Sequence, residues 1–322
     1  MSKLICITGT TGFVGSSLLP TLSQHHQTHA ITRAKFGDLL STTDYSAALT
    51  HAEVVIHLAA RVHIMHDTST DPLKEFRRTN TAGTINLARQ AATAGVRRFI
   101  YLSSIKVNGE HTQPDKPFTA DDQLNSYSPP LQKEGLGEDF LKDPYAQSKQ
   151  EAEQALHQLA LETGMEVVII RPPLVYGAGV KGNFKSMMNW INNGITLPLG
   201  SIHNHRSLVA LPNLIDLITT CIDHPTAANQ TLLVSDGEDL STTDLLRRLS
   251  LALGKPSRLI PVPQKLLETT LNLLGKQAIA QRLCGNLQVD ISKTKELLGW
   301  TPPISVDAAL HQTAQAYLQT LR

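Results

Sequence analysis

Tyr145 and Lys149 stand four residues apart in YAQSK, a spacing that stacks both side chains on one face of a helix. A Lys ammonium beside a phenol favours the phenolate. The pair therefore predicts a Tyr pKa drawn down from about 10 toward neutrality. A tyrosine so tuned can exchange a proton with a carbinol while a hydride moves. Ser103 and Ser104 close the apolar run RRFIYL. In an open α/β sheet such a strand end points at the ligand crevice. Ser104 is the hydroxyl expected to hydrogen-bond the same substrate oxygen as Tyr145.

Hydride chemistry needs a carrier, and Gly9-Thr10-Thr11-Gly12-Phe13-Val14-Gly15 has the form of a site for one. It follows an apolar strand-like run, KLICI, and opens a helical pattern, which is the required context. Gly9 permits the tight turn. Gly12 lets the backbone approach a pyrophosphate, and Gly15 allows close helix–sheet packing. The helix N-terminus adds N–H groups and a positive dipole. The second strand ends at Thr32 and continues Arg33-Ala34-Lys35, with no carboxylate before Asp38. An acid there would accept from a ribose 2′-OH, whereas an Arg accommodates a 2′-phosphate. This predicts NADP(H), with NAD(H) as the alternative.

These groups need a frame. Strand-like runs at 3–7, 28–32, 53–58, 97–104 and 165–171 alternate with helical patterns at about 12–24, 71–94 and 144–162. Continuous Val/Ile/Leu runs between helices indicate a parallel sheet buried on both faces. The expected fold class is α/β, a Rossmann-type doubly wound sheet with a smaller C-terminal α/β lobe. The dinucleotide domain is expected over 1–171, with parts of about 205–235 returning to it. A substrate-binding lobe is expected over 172–204 and 236–322, with helical patterns at about 184–193, 213–223, 242–253, 264–274 and 305–321. The segment 108–143, poor in regular pattern and Pro/Gly-rich over 125–141, reads as a surface insertion near the site.

Composition excludes several classes. The 322 residues are 41% hydrophobic and 18% charged, with Lys+Arg 29 against Asp+Glu 28. A net charge of +1 offers no footprint for nucleic acid or an anionic membrane. The longest apolar runs are too short to span a bilayer, and the N-terminal run is too short for a signal peptide. Cys6, Cys221 and Cys284 are odd in number, widely spaced and set among apolar residues. They read as reduced core thiols in a cytoplasmic protein. The 13 histidines include His25/His26/His29, His63/His66 and His203/His205. None has a carboxylate or Cys partner at ligand spacing, so no metal is expected.

The chain resembles the extended short-chain dehydrogenase/reductase family, in its nucleotide-sugar epimerase/dehydratase/reductase group. The resemblance rests on TGTTGFVG (8–15), VIHLAA (55–60), Asn80 in RRTNTAGT, LSSIKV (102–107), YAQSK (145–149), RPPLVYG (171–177), HNHRSLV (203–209) and DISKTKELLGW (290–300), all in family order. It implies a catalytic Ser104–Tyr145–Lys149 triad. It implies cofactor contacts at Gly9, Thr11, Gly12, Phe13, Val14, Gly15, Arg33, Asp38, Leu39, Leu58, Ala59, Ala60, Asn80, Tyr145, Lys149 and Pro172. Substrate contacts are implied at Ser104, Lys106, Asn183 and Arg206, with Arg206 gripping the nucleotide diphosphate.

HLAARVHIM, SSIKVNGE, RPPLVYGAGVKGNF and VSDGEDLST resemble a bacterial subgroup that reduces UDP-4-keto-6-deoxy-N-acetylhexosamines for O-antigen or capsule. Where the family reads Ser-Ser-Ala-x-Val-Tyr-Gly, this chain has Ser103-Ser104-Ile105-Lys106-Val107-Asn108-Gly109. The leading expectation is an NADPH-dependent UDP-4-keto-sugar reductase. The alternative is an NAD-dependent UDP-sugar 4-epimerase. A noncatalytic dinucleotide sensor is the remote third, opposed by the intact triad. The long helices at 71–94 and 144–162 match those that the family pairs across a two-fold axis, implying a homodimer with a four-helix interface.

Overall fold

The structure is a computed structural model that describes residues 2–62, 71–122 and 143–321. β1 (Leu4–Thr8), β2 (Gln27–Ile31), β3 (Val54–His57), β4 (Arg98–Leu102) and β5 (Glu166–Arg171) fall on the five strand-like runs. After β6 (Leu174–Tyr176) and β7 (Arg206–Ala210), β8 (Thr231–Leu233) returns to join them. The six strands form one sheet in the order β2-β1-β3-β4-β5-β8, with every pairing parallel. β6 pairs parallel to β7, and β7 pairs antiparallel to β9 (Asp239–Leu240), which makes a small second sheet.

Helices or helical turns follow β1 to β4, and the longer helices cover the sheet. α1 (Gly15–Leu22) follows β1. The short α2 (Arg33–Phe36) and α3 (Ser46–Leu49) follow β2. α4 (Pro72–Phe76), a π-helical stretch (Arg77–Gly83) and α5 (Thr84–Thr93) follow β3. A 3₁₀ turn at Ile105–Val107 follows β4, and α6 (Pro144–Thr163) precedes β5. The helix expected over 71–94 is thus broken by a π turn that holds Asn80. Such turns gather at functional sites.

α3, α5 and α6 bury Leu49, Leu87, Ala91, Ala152 and Leu156 against Val55, Phe99, Tyr101, Val167 and Ile169 on one sheet face. On the other face α1 and α8 (Leu211–Asp223) bury Leu18, Leu22, Leu214, Leu217 and Ile218 against Ile5, Ile7, Ile56 and Ile100. With both faces covered, the strands carry apolar side chains without alternation.

A third cluster belongs to α7 (Gly182–Asn192), α9 (Thr242–Ala252) and α13 (Val306–Gln319), packed round Tyr176, Phe184, Leu246, Leu249 and Leu310. α10 (Gln264–Leu273), α11 (Gln277–Cys284) and α12 (Ser292–Leu298) complete the chain. α11 and α12 lay outside the expected helical patterns. Both are short, and their apolar positions are too few to show a period.

Cys6, Cys221 and Cys284 are all buried and unpaired, and burial pushes their thiols up to about 11, 12 and 11. Of the segment expected as a surface insertion, 108–122 is described and 123–142 lies outside the described residues. In the described part Phe118 pairs with Val289 as an isolated bridge.

Candidate active site

The C-terminal ends of β1, β2, β3 and β4 surround a cleft of about 940 Å³. Strand ends on this side of a parallel sheet are where ligands settle. The glycine turn forms its floor. Gly9 has φ +70°, and a Cβ on it would meet Ala59 N at 2.7 Å. A Cβ on Gly15 would lie 2.2 Å from Gly9 O, so α1 can begin there only without a side chain. Gly12 donates its N–H to Gly9 O at 2.9 Å, which closes the turn.

Of the residues expected at a cofactor, Gly9, Thr11, Gly12, Phe13, Val14, Gly15, Arg33, Asp38, Leu39, Leu58, Ala59, Ala60, Tyr145 and Lys149 line this cleft. Its size suits a cofactor, and the N-terminal end of α1 opens on it as an anion site. Tyr45, Arg61, Arg78 and Ser103 line it too, and the sequence patterns had not singled them out for it. Ser103 Oγ is buried there without a hydrogen-bond partner. An orphaned hydroxyl on a cleft wall is a signal of a missing ligand.

Buried polar bonds hold the rim. Thr8 Oγ1 accepts from Leu58 N (3.2 Å) and Ala59 N (3.1 Å), and sits 2.7 Å from His57 Nδ1. Its own proton therefore goes to Nδ1, leaving His57 Nε2–H to donate to Thr84 Oγ1 at 2.9 Å. Burial and the Lys149 charge hold His57 down at about 3, so it stays neutral. It is a brace and not a proton carrier.

Asn80 and Pro172 do not line the cleft. Asn80 Oδ1 accepts from Arg61 N (2.8 Å), and its Nδ2 donates to Arg61 O (3.0 Å) and Ser148 Oγ (3.1 Å). It clamps the segment after β3 to α6. Pro172 O accepts from Ile105 N at 2.9 Å, tying the end of β5 to the Ser104 turn.

α6 starts where Asp143 caps it, its Oδ1 accepting from Tyr145 N (2.9 Å) and Ala146 N (3.4 Å), with Pro144 in the first turn. Tyr145 is thus at the helix mouth, and its ring meets Phe76 edge-on at 6.0 Å. Ser104 hydrogen-bonds the Tyr145 hydroxyl. Lys149 is buried, donates from Nζ to Leu102 O at 2.9 Å and lies 4.4 Å above the Tyr101 ring.

The surroundings of Tyr145 oppose the expected lowering of its pKa toward neutrality. Burial, then the Asp143 charge, push Tyr145 up to about 12, against the Ser104 hydrogen bond. Burial also pulls Lys149 down to about 7, against the charge of Glu153. Buried together, the lysine is only partly charged near neutrality and the phenol is left less acidic than in water.

Lys106 Nζ is held by Glu110 Oε1 at 3.0 Å and Asp143 Oδ2 at 2.5 Å. Burial pulls its pKa down, and the bonds to the two carboxylates more than reverse this. It buttresses the cap of α6. Asn183 is exposed in the first turn of α7. Arg206 Nη1 donates to Arg282 O (3.3 Å) and Gly285 O (3.2 Å). Carbonyls orient this cation without neutralising it. Among the described residues no three His, Cys, Asp or Glu converge as a metal site, and His63 and His66 lie outside those residues.

A six-stranded parallel sheet whose glycine turn opens on a cleft ending at Tyr145 and Lys149 defines a Rossmann-type enzyme. The model of the NAD dependent epimerase/dehydratase family matches residues 5–234, and the chain belongs to that family. It is 48% identical over 332 residues to a "UDP-glucose 4-epimerase" of Vibrio cholerae, covering 99% of this chain and 97% of the relative. It is 25% identical over 343 residues to the "N-acetyl-alpha-D-glucosaminyl-diphospho-ditrans,octacis-undecaprenol 4-epimerase" of Escherichia coli O157:H7, covering 98% and 95%. The UDP-glucuronic acid 4-epimerase of Bacillus cereus, solved with NAD, shares the fold at TM-score 0.73 and 18% identity over 99% and 100% of the two chains. RMD from Pseudomonas aeruginosa, solved with NADPH, does so at 0.72 and 21% over 99% and 100%.

Tyr145→Phe removes the hydroxyl and keeps the ring against Phe76. Turnover should fall by about 10²–10⁴, with dinucleotide affinity unchanged by calorimetry. Turnover close to wild type would reject Tyr145 as the proton carrier.

The Lys149 pKa, lowered from 10.5 to about 7, also gives a stability test. Below pH 7 the folded chain carries the full cost of a buried ammonium. That cost fades as pH rises from 7 toward 10.5, because only the unfolded chain then binds the proton. Lys149→Met should therefore unfold at higher urea than wild type at about pH 6, by a margin that shrinks at about pH 9, while losing activity. A margin that grows with pH would contradict the assignment.

Proposed function

We propose that the chain is an NAD(H)-dependent 4-epimerase of a UDP-linked hexose. The single observation that carries the reading is the end-to-end 48% identity with the Vibrio cholerae protein named for that activity. The adenosine end of the cleft supports it. Arg33 Nε lies 2.5 Å from Asp38 Oδ1, and both residues are on the cleft wall. So placed, the Asp38 carboxylate stands beside Arg33 on the cleft wall, where it can accept from ribose hydroxyls. This favours NAD over a 2′-phosphate and moves the reading away from the reductase that Arg33 alone suggested.

In this reading the lobe of 172–204 and 236–322 holds the sugar nucleotide, with the diphosphate on Arg206. Ser104 and Tyr145 share the O4 atom of the sugar. Tyr145 Oη takes the proton of the 4-hydroxyl as C4 is oxidised and returns it as C4 is reduced on its other face. Lys149 fixes the ribose end of the site from Leu102 O. NAD bound in the cleft supplies a hydride acceptor whose positive ring acts on Tyr145 in the direction opposite to burial. Burial by itself keeps Tyr145 protonated, so in this reading the cofactor ring is what readies it as a base.

The second reading is the NADPH-dependent 4-ketoreduction of a UDP-4-keto-6-deoxy-N-acetylhexosamine for surface polysaccharide. It is favoured by the Arg33 side chain, 83% exposed at the end of β2. An epimerase returns its hydride to the same substrate and should keep its cofactor. Denaturing extraction should release NAD, and UDP-glucose and UDP-galactose should interconvert with no cofactor added. Protein that purifies empty, leaves UDP-hexoses unchanged and consumes NADPH with a UDP-4-keto sugar would reverse the choice.

We also propose a homodimer. α5 and α6 lie side by side, with a shallow groove lined by Ile85, Arg89, Ala155 and Gln158, and Leu161 beside it is 83% exposed. Two copies related by a two-fold axis would bury this face as four helices. Light scattering at micromolar concentration should give twice the chain mass of 35.1 kDa, and a single chain mass would remove the interface.

A further inference from the structure

We propose that the hairpin of α10 and α11 docks this protein on a membrane surface rich in anionic phospholipid. α10 buries none of its residues. Leu267 and Leu271 turn toward the lobe, while Leu266, Thr270 and Leu273 recur at helical spacing on its outward face. Leu266, Leu273 and Leu274 are 57%, 84% and 63% exposed, and Ile279 on α11 and Ile260 before α10 are exposed as well. Gly275, at φ +69°, turns the chain between the helices, so Leu273, Leu274, Lys276 and Ile279 gather at the hairpin tip. Monomeric proteins seldom leave so many large aliphatic groups together in water.

Charge selects what covers this face. Residues 255–284 carry Lys255, Arg258, Lys265, Lys276 and Arg282 against one acid, Glu268. All five bases are exposed, and among the described residues none is in a salt bridge. Glu268 is half-buried and accepts from Gln264 Nε2 at 2.9 Å. The net charge of +1 therefore averages a basic segment with an acidic remainder. A second copy meeting this face through a two-fold axis would set like charges together. An anionic lipid surface complements the bases and receives the leucines at the depth of the headgroups. No described helix is long and apolar enough to cross a membrane, and surface docking needs none. The base of the hairpin supplies the carbonyls that hold Arg206, so docking would set that cation near the lipid surface.

The test is co-sedimentation of the whole protein with phosphatidylcholine vesicles, with and without phosphatidylglycerol. Binding is expected only with the anionic lipid, and it should weaken as salt rises. Lys276→Gln should weaken it about fivefold. Leu273→Asp with Leu274→Asp should weaken it by at least about tenfold, with the unfolding midpoint unchanged because both side chains are exposed. Wild-type protein left in the supernatant at low salt would overturn the proposal. So would equal binding to neutral vesicles, or leucine variants that bind as wild type. A vesicle-free molar mass that drops in the leucine variants would assign the face to a second copy and overturn it too.

Discussion

The interface between α6 and the sheet is built round an ammonium taken out of water. Lys149 is 2% exposed, and its Nζ has the Leu102 carbonyl and the Tyr101 ring as its near partners. An isolated buried charge of this kind moves toward neutrality. One turn further along α6, Glu153 opposes that shift. Glu153 is itself fully buried, and it is tolerated because Arg171 on β5 grips both its oxygens. The column Tyr145, Lys149, Glu153 is therefore one electrostatic object spaced by the helix period. Its balance rests on an arginine supplied by the sheet. Such a buried pair is a poor source of stability, and losing one partner typically costs about 3–5 kcal/mol. Its evident use here is to hold a lysine between charged and neutral.

The cleft above this column depends on backbone approaching backbone. Gly9 admits Ala59, and Gly15 lets α1 start over the turn. Gly83, in the π turn, has room only for hydrogen because a Cβ would meet Leu39 O at 2.5 Å. These contacts bring the ends of β1, β2 and β3 round one volume, and Thr8, His57 and Asn80 fix them with buried hydrogen bonds. A site assembled from strand ends and braced this way changes little in shape on binding. The charge state of the column is then the part left to respond to a ligand.

Much of this was legible from the chain. Runs such as VVIH and VVIIR admit only a strand buried on both faces, and the glycine turn between the first run and its helix fixes the cleft end. Spacing of four residues placed Tyr145 over Lys149. What sequence did not give was the environment of each group. Proximity of Lys149 to Tyr145 suggested an acidic phenol, yet burial of both reverses the direction. Asp38 reads as a distant acid along the chain, but the loop after β2 folds it onto Arg33. Lys106 sits in a motif suggestive of substrate; Glu110 is only four residues away, but its other partner, Asp143, is distant in the chain and meets it only where the cap of α6 forms. Each of these is an electrostatic fact set by burial and by how the backbone folds, to which periodicity is blind.

Asn108 shows how such a fact explains a sequence departure. An amide stands where the family pattern has an aromatic ring. Arg171 spends Nε and Nη2 on Glu153 and still has Nη1 to satisfy, and it donates to Asn108 Oδ1 at 3.0 Å. The amide oxygen gives this guanidinium its remaining acceptor, and a buried guanidinium left short of one is costly. Asn108 Nδ2 in turn donates to Thr119 O at 2.9 Å. The segment after the Ser104 turn is thereby joined through Arg171 and Glu153 to the lysine beside Tyr145. The departure at Asn108 thus reaches the surroundings of Lys149 through Arg171 and Glu153.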